Sequence, residues 1–154
     1  MSIPGAVKLK SAKVHELILE SDVLINVPVL KVHSSAKMTA SLKNMMGVVW
    51  DRRFWHTNNL HQCIADYGLF EKKAALNVVD CYNVMVKNGP RGVSLADVVN
   101  MKAQVISADP VAADTAVARM LGKDPAQVDY IHLAHSLGVG SMDIDNMNIH
   151  KIAM

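Results

Sequence analysis

The chain has 154 residues, of which 51% are hydrophobic, 19% charged and 5% aromatic, a composition typical of one soluble globular domain. The net charge of +2 and the scarcity of aromatic residues argue against a nucleic-acid-binding surface. The longest strongly apolar run, Val23 to Leu30, is far shorter than the roughly 20 residues that span a bilayer. The first residues contain no apolar signal-peptide core. We therefore expect a cytoplasmic protein with neither a nucleic-acid nor a membrane partner.

The first predicted elements are a helix and a buried strand. Apolar residues spaced three and four apart predict an amphipathic helix over residues 11–21. The continuous apolar run of residues 22–30 is typical of a strand that is buried on both faces of a parallel sheet. Pro28 has no N–H to donate, so we expect the strand to end or bulge there.

A second helix is predicted over residues 36–46. Ser35 or Thr39 is the candidate N-cap, and Gly47 follows the last turn. Residues 48–59 show no period and are expected to be irregular. A helix over 59–70, a strand over 74–80 and a loop over 87–92 follow. Next come a short helix over 94–100, a strand over 103–107 and a helix that begins at Asp109 and Pro110 and ends at Gly122. The last predicted elements are a helix over 125–138 and a tail that is loop with room for one last strand.

Alternation of strands and helices indicates an α/β fold, in which a mostly parallel sheet with flanking helices forms a Rossmann-like three-layer arrangement. Residues 1–154 then form a single domain. Ligands of such sheets bind beyond the carboxyl ends of the strands. Three polar segments, at residues 31–37, 80–83 and 107–110, fall at those predicted ends. Their convergence predicts a site at one edge of the sheet.

A basic cluster follows the first strand. Five basic residues and one acid lie between Val23 and Ala65. Lys31 and His33 are two apart, so in an extended chain they point to the same side. The N-terminus of the following helix would offer free N–H groups to an anion such as a phosphate or carboxylate. The other members of the cluster are Lys37, Lys43, Asn44, Arg52, Arg53 and His56. The alternative is that the lysines are merely solvated and His33 caps the strand.

The second half of the chain is acidic, and three of its carboxylates are site candidates. Asp109 is most simply a helix cap, with catalysis as the alternative, and Asp114 should point away from it. Asp80 at a strand end would orient a base, bind a cation or cap a turn. A carboxylate opposite the basic cluster would serve as a general base or hold a divalent cation that bridges to a phosphate.

No metal-binding spacing is present in the sequence. Cys63 and Cys81 form no CxxC motif and are expected to be buried thiols. Two cysteines cannot supply the four thiolates of a typical iron–sulfur cluster. His132 and His135 share a helix face but lack a third local ligand, so no metal site is predicted there.

The run DVLINVPVLKVHSSAKMTASLKNMMG combines a strand with Lys-x-His and Thr-x-x-x-Lys-Asn segments and a Gly. The blocks RRFWH, VVDCYNVMVKNGPRG, ISADPVAADTAVARMLG and IHLAHSLGVG follow it in order. Together, from Asp22 to Gly140, they resemble the bacterial and archaeal domain of unknown function 362 family, whose members are often described as iron–sulfur cluster-binding proteins. The resemblance implies that the chain is the C-terminal part of the family domain. It also implies that the chain lacks an upstream α/β half and a ferredoxin-type module.

The resemblance adds support to many of the residues already singled out. The positions that match its motifs are Lys31, His33, Thr39, Lys43, Asn44, Gly47, His56, Asp80, Gly89, Pro90, Asp109, Asp114, Gly138 and Gly140. We assign the candidate catalytic roles to His33, His56, Asp80 and Asp109. The candidate ligand-binding residues are Lys31, Thr39, Lys43, Asn44, Arg53, Gly89 and Asp114.

Two functions are consistent with these residues. The first is a domain whose basic strand-end pocket holds a small anionic ligand, as part of a redox enzyme that works with a ferredoxin-type partner carrying the cluster. The second is a non-catalytic subunit or interaction domain that completes a larger assembly or a homo-oligomer. The cofactor stays open, because this chain alone cannot hold a cluster, although a divalent cation fits its carboxylates.

Overall fold

The computed structural model of the protein describes residues 1–153. It contains one five-stranded sheet, six α-helices and short 3-10 turns. The strands are β1 (Ile25–Asn26), β2 (Val29–His33), β3 (Lys37–Thr39), β4 (Leu76–Met85) and β5 (Val98–Ser107). The helices are α1 (Glu16–Glu20), α2 (Ser41–Asn44), α3 (Arg52–Thr57), α4 (Leu60–Tyr67), α5 (Pro110–Met120) and α6 (Asp129–Ser136).

β4 is the central strand of a mixed sheet. It pairs in parallel with β1 and β2 on one side and antiparallel with β5 on the other. β3 extends the sheet beyond β2 by antiparallel pairing. The predicted α/β class, with helices packed against a sheet, is confirmed. In residues 1–153, no helix is both long enough and apolar enough to cross a membrane.

The predicted interruption of the first strand at Pro28 is confirmed, because β1 and β2 lie on either side of it. The chain stays beside β4 throughout, since the carbonyl of Pro28 accepts a 2.8 Å hydrogen bond from the Asp80 N–H. The strand then resumes and runs to His33, further than expected. Lys31 and His33 therefore lie within the last residues of a strand, where their backbone is fixed by the sheet.

The predicted helix over residues 36–46 is wrong in its first part. Residues 37–39 form β3 instead, which folds back on β2 with Val32 opposite Met38. Met38 and its neighbour Ala36 are buried in the core, so burial of these side chains outweighs their helix propensity. α2 begins only at Ser41, and a 3-10 turn over Met45–Val48 continues it.

The second half of the sheet differs from the prediction in two respects. β4 continues to Met85, so Asp80 lies in mid-strand rather than at a strand end. β5 runs antiparallel to β4, because the connection between them is a loop and a single 3-10 turn rather than a crossover helix.

A bulge opposite Tyr82 places Lys102 at a φ of 50° in the edge strand β5. Such bulges hinder further edge-to-edge pairing.

The predicted starts of α4 and α5 are confirmed. The Asn59 side chain caps α4, and Asp109 caps α5 with Pro110 in the first turn. The first helix is shorter than predicted and spans only Glu16–Glu20. Residues 52–57, expected to be irregular, form α3, whose N-cap is Asp51. The tail holds a single 3-10 turn over Ile144–Asn146, and no last strand forms in the described part of it.

The two faces of the sheet differ in burial. One face carries Val79 and Cys81 of β4, which are fully buried in the core that also includes residues of α4, α5 and α6. On the other face, Ile25 and Val29 pair with Leu76 and Asp80 of β4. Val23, Ile25, Val27 and Val29 occupy alternate positions and are 63%, 55%, 61% and 48% exposed. We call these four residues the valine stripe.

Candidate functional site

A cleft of about 610 Å³ opens at the carboxyl ends of β2 and β4. We call it the basic cleft, because none of the side chains that line it is acidic. Its lining residues are Lys31, His33, Thr39, Lys43, Asn44, Met46, Gly47, Arg52, His56, Pro90 and Arg91. Six of the eleven candidate catalytic and ligand-binding residues are thereby brought together: Lys31, His33, Thr39, Lys43, Asn44 and His56.

The turn between β2 and β3 fixes the orientation of the His33 ring and the nitrogen that carries its proton. Nδ1 accepts hydrogen bonds from the N–H groups of Ser35, at 3.1 Å, and Ala36, at 3.2 Å, in the turn between β2 and β3. An accepting Nδ1 carries no proton, so the neutral ring has its proton on Nε2. Desolvation, followed by the charges of Lys43, His56 and Lys31, lowers the pKa of His33. His33 therefore offers the cleft a neutral Nε2–H donor.

Lys43 is the most confined cation of the basic cleft. It is half-buried at the end of α2, and within residues 1–153 its Nζ has only the sulfur of Met46 as a hydrogen-bond partner, at 3.3 Å. Desolvation, and then the charges of Lys31 and Arg52, lower the pKa of Lys43. Cations that repel one another without a carboxylate between them raise the free energy of the empty cleft. An anion would relieve this repulsion.

A chain of three asparagines ties α2 to the sheet. Asn44 donates to Asn26 at 2.8 Å, and Asn26 donates to Asn77 at 2.9 Å and to the carbonyl of Ser41 at 2.9 Å. Asn26 and Asn77 are buried, so these bonds satisfy amide groups that would otherwise be costly. The chain holds Asn44 at the edge of the cleft.

Arg91 and Pro90 reach the cleft from the loop after β4. Asp97 organises this loop by accepting hydrogen bonds from the N–H groups of Val93, at 2.6 Å, and Ser94, at 3.1 Å. These bonds are the main cause of the lowered pKa of Asp97. Gly89 lies directly against β2, since a Cβ built on it would be 1.9 Å from the carbonyl oxygen of Val32. Gly89 does not line the cleft itself, but its lack of a side chain allows the loop that carries Arg91 to lie against β2.

Two members of the basic cluster, Lys37 and Arg53, lie outside this lining, as do the acidic candidates. Lys37 forms a 3.1 Å ion pair with Asp129 of α6. Arg53 does not line the cleft, and its neighbour on α3, Arg52, does. Asp80 accepts a hydrogen bond from the Tyr82 N–H at 2.8 Å, within its own strand.

Asp109 acts as a structural cap in the folded chain. Its Oδ1 accepts from the N–H groups of Val111, at 2.7 Å, and Ala112, at 3.0 Å. Its Oδ2 accepts from the N–H of Ser141 at 2.8 Å, which ties the loop after α6 to the start of α5. A Cβ on Gly140 would be 2.0 Å from Oδ1, so the loop passes tightly over the carboxylate. Asp109 does not line the basic cleft.

The expected role of the helix N-terminus as an anion site is wrong. The first N–H groups of α2, on Ser41 and Leu42, already donate to the carboxylate of Asp114 at 2.6 and 3.1 Å. Asp114 is fully buried in α5 and replaces any external anion there. The far end of α2, with Lys43 and Asn44, is the part that faces the basic cleft. No local pattern in the sequence indicates this long-range pairing.

We expect stability to fall with rising pH because of Asp114. Burial raises the pKa of Asp114 to about 7, above the value of about 3.9 for an unfolded chain. The folded state therefore binds the proton more tightly, and the free energy of unfolding decreases as pH rises between about 4 and 7. Urea denaturation at several pH values should show a steeper decline for the native chain than for Asp114→Asn. Equal slopes in the two proteins would contradict this assignment.

The structure does not fit an iron–sulfur cluster. Cys63 lies in α4 and Cys81 in β4, and both are fully buried and free. Desolvation is the main cause that raises the pKa of each thiol to about 11, which disfavours the thiolate that iron requires. In residues 1–153, no group of three or more His, Cys, Asp or Glu side chains is arranged to hold a metal ion. We derive no step through a cluster.

The fold defines the protein as an α/β domain, and the basic cleft lies at the strand ends where open α/β sheets in general bind their ligands. The family model for a domain of unknown function (DUF362) matches residues 1–119, and the chain belongs to this family. The matched range includes every residue that lines the basic cleft, whereas the block at residues 131–140 lies beyond it. No curated protein and no solved structure is significantly similar to the chain.

Proposed function

We propose that the basic cleft binds a small anion that carries at least two charged groups, such as a diphosphate or a dicarboxylate. The observation that carries this proposal is the convergence of Lys31, Lys43, Arg52 and Arg91 in one cleft without an acidic lining residue. Four cations without counter-charges favour a ligand of more than one negative charge. The volume of the cleft is in the range of small-molecule sites.

Two neutral side chains would orient such a ligand. His33 contributes the Nε2–H donor, whose direction is fixed by the backbone bonds to Nδ1. Thr39 lies opposite Lys31 in the β2–β3 hairpin and contributes a hydroxyl. His56, exposed on α3 at the rim, is our candidate for proton transfer to or from the bound ligand.

A redox role, which the family resemblance implies, would require a second protein. The two buried thiols of this chain are too few to hold a cluster, so an iron–sulfur partner would have to supply electrons to a ligand in the basic cleft. The cytoplasm, where free thiols persist, is the proposed location of both proteins.

Calorimetric titration of the purified chain with pyrophosphate, citrate and inorganic phosphate tests the anion proposal. We expect one saturable site, with tighter binding of pyrophosphate or citrate than of phosphate, because the larger ions reach more of the cations. Binding should weaken as potassium chloride is added, since salt screens the half-exposed charges. No heat of binding and no rise in melting temperature with any of the three ions would overturn the proposal.

A second candidate function is an interaction subunit, and the valine stripe favours it. Large exposed apolar surfaces are unusual on isolated soluble domains and mark interfaces. Sedimentation analysis of the native chain and of Val27→Asp tests this candidate. Self-association that Val27→Asp abolishes would support it, whereas a native chain that is monomeric at all concentrations would argue against a homo-oligomer.

A further inference from the structure

A second cavity, of about 360 Å³, lies beside α2 and shares no lining residue with the basic cleft. We call it the apolar cavity. Most of its wall consists of apolar side chains, including Leu42, Met45, Ala74 and Val139. A volume of this size is within the range of small-molecule sites, which combine apolar walls with a few polar groups. The proposed anion site does not account for it.

The charged side chains that line the apolar cavity are those of Asp109, Lys72 and Lys73, so the net charge of its lining is positive. The carboxylate of Asp109 is already engaged by three backbone N–H groups. The ammonium group of Lys72 donates to the carbonyl of Ser21. Lys73 also lines the cavity and makes no hydrogen bond or ion pair with any residue in the range 1–153. A ligand with a negative end therefore matches the cavity better than a cation does.

Tyr67 provides a second, independent sign of a missing ligand. It lines the apolar cavity from α4, and its buried hydroxyl has no hydrogen-bond partner among the described residues. Burial raises the pKa of Tyr67 to about 12, so the phenol remains a neutral donor. Residues 1–153 contain six buried polar side-chain atoms without a partner, and two of them, on Tyr67 and Ser41, belong to residues that line the apolar cavity. A ligand oxygen within reach of the Tyr67 hydroxyl would supply the acceptor.

We propose that the apolar cavity binds a small apolar carboxylate, such as an aryl-alkyl or short fatty acid. The hydrocarbon part lies against Leu42, Met45 and Val139, and the carboxylate lies at the mouth beside Lys73. Burial of the hydrocarbon supplies most of the binding free energy, and the charge of Lys73 selects acids over neutral molecules. This inference is independent of the anion proposed for the basic cleft.

Neighbouring methionines allow the two sites to be observed separately. Met45 lines the apolar cavity and Met46 lines the basic cleft. In the full chain with 13C-labelled methionine methyl groups, 3-phenylpropionate should shift the Met45 signal, in a saturable manner, and leave Met46 unchanged. Pyrophosphate should do the reverse. The two signals are assigned from the Met45→Leu and Met46→Leu variants. No response of Met45 to 3-phenylpropionate would overturn the inference, whatever Met46 does.

The role of Lys73 is tested with a neutral analogue of the same shape. Lys73→Met should weaken 3-phenylpropionate about threefold to fivefold, the range expected for a partly screened charge pair. It should leave the affinity for 3-phenyl-1-propanol unchanged. Lys13→Met, which removes an exposed lysine that does not line the cavity, is the matched control and should change neither affinity. Equal affinities for acid and alcohol in the native chain, or no loss in Lys73→Met, would contradict recognition of a carboxylate.

Discussion

Gly89→Ala should destabilise the fold by about 2–4 kcal/mol, the range of severe steric substitutions. A Cβ at this position would be 1.9 Å from the carbonyl oxygen of Val32 and 2.8 Å from its carbonyl carbon. Both contacts are with backbone of β2, which is held in the sheet and cannot yield as a side chain could. The loop would have to move away, and it would take Arg91 out of the basic cleft. Urea denaturation measures the first effect and anion titration the second.

Gly47→Ala is the matched control for this substitution. Gly47 also borders the basic cleft, but no atom lies within 4 Å of the Cβ that alanine would add. We expect a change in unfolding free energy within about 0.5 kcal/mol, as for substitutions without a structural conflict. If Gly89→Ala were as stable as Gly47→Ala, the close contact between the loop and β2 would be disproved.

Lys43→Met should reduce anion affinity about tenfold or more without loss of stability. A hydrogen bond to a charged group contributes about 1.5–3 kcal/mol, and Lys43 is half-buried, where water screens its charge less. In the empty protein, however, Lys43 is desolvated and repelled by Lys31 and Arg52, which together lower its pKa. Methionine retains the apolar stem and removes the charge. Gain of stability with loss of binding is typical of a residue kept for function.

Lys37→Met provides the control for Lys43→Met. Lys37 belongs to the same basic segment, but it is ion-paired to Asp129 and does not line the basic cleft. Its replacement should leave anion affinity unchanged and cost little stability, since exposed ion pairs contribute about 0–1 kcal/mol. Equal losses of affinity in both variants would show that only overall charge matters. A change of oligomeric state in Lys43→Met, with unchanged ligand binding, would favour the interaction-subunit candidate.

Local signals predicted the elements that depend on local chemistry. Pro28 interrupts the first strand, and Asp109 followed by Pro110 begins α5, because each effect needs only the residue and its nearest backbone. The β2–β3 hairpin was not predicted, since a short run such as Ala36–Thr39 acquires its conformation from pairing with β2. Likewise, nothing local indicates that β5 runs antiparallel to β4.

The site was partly predictable, because some of its residues are brought together by local spacing and others only by tertiary contacts. The two-residue spacing of Lys31 and His33 placed them together, as the structure does at the end of β2. Arg91 was missed because its position depends on Asp97 and on the tight approach of Gly89 to β2, which are tertiary contacts. The single arginine in the loop GPRG was its only local signal. Asp114 reaches the first turn of α2 from 73 residues away, so its role could not be seen in the sequence.

The most direct test of the anion proposal is 15N NMR of the histidine rings during titration with pyrophosphate. His33 and His56 line the basic cleft, whereas His132 and His135 of α6 do not and serve as internal controls. We expect His33 to be a neutral Nε2–H tautomer in the free protein, and the His33 and His56 signals to shift together with saturation. Unchanged His33 and His56 signals, or shifts confined to His132 and His135, would contradict the assignment of the anion site to this cleft.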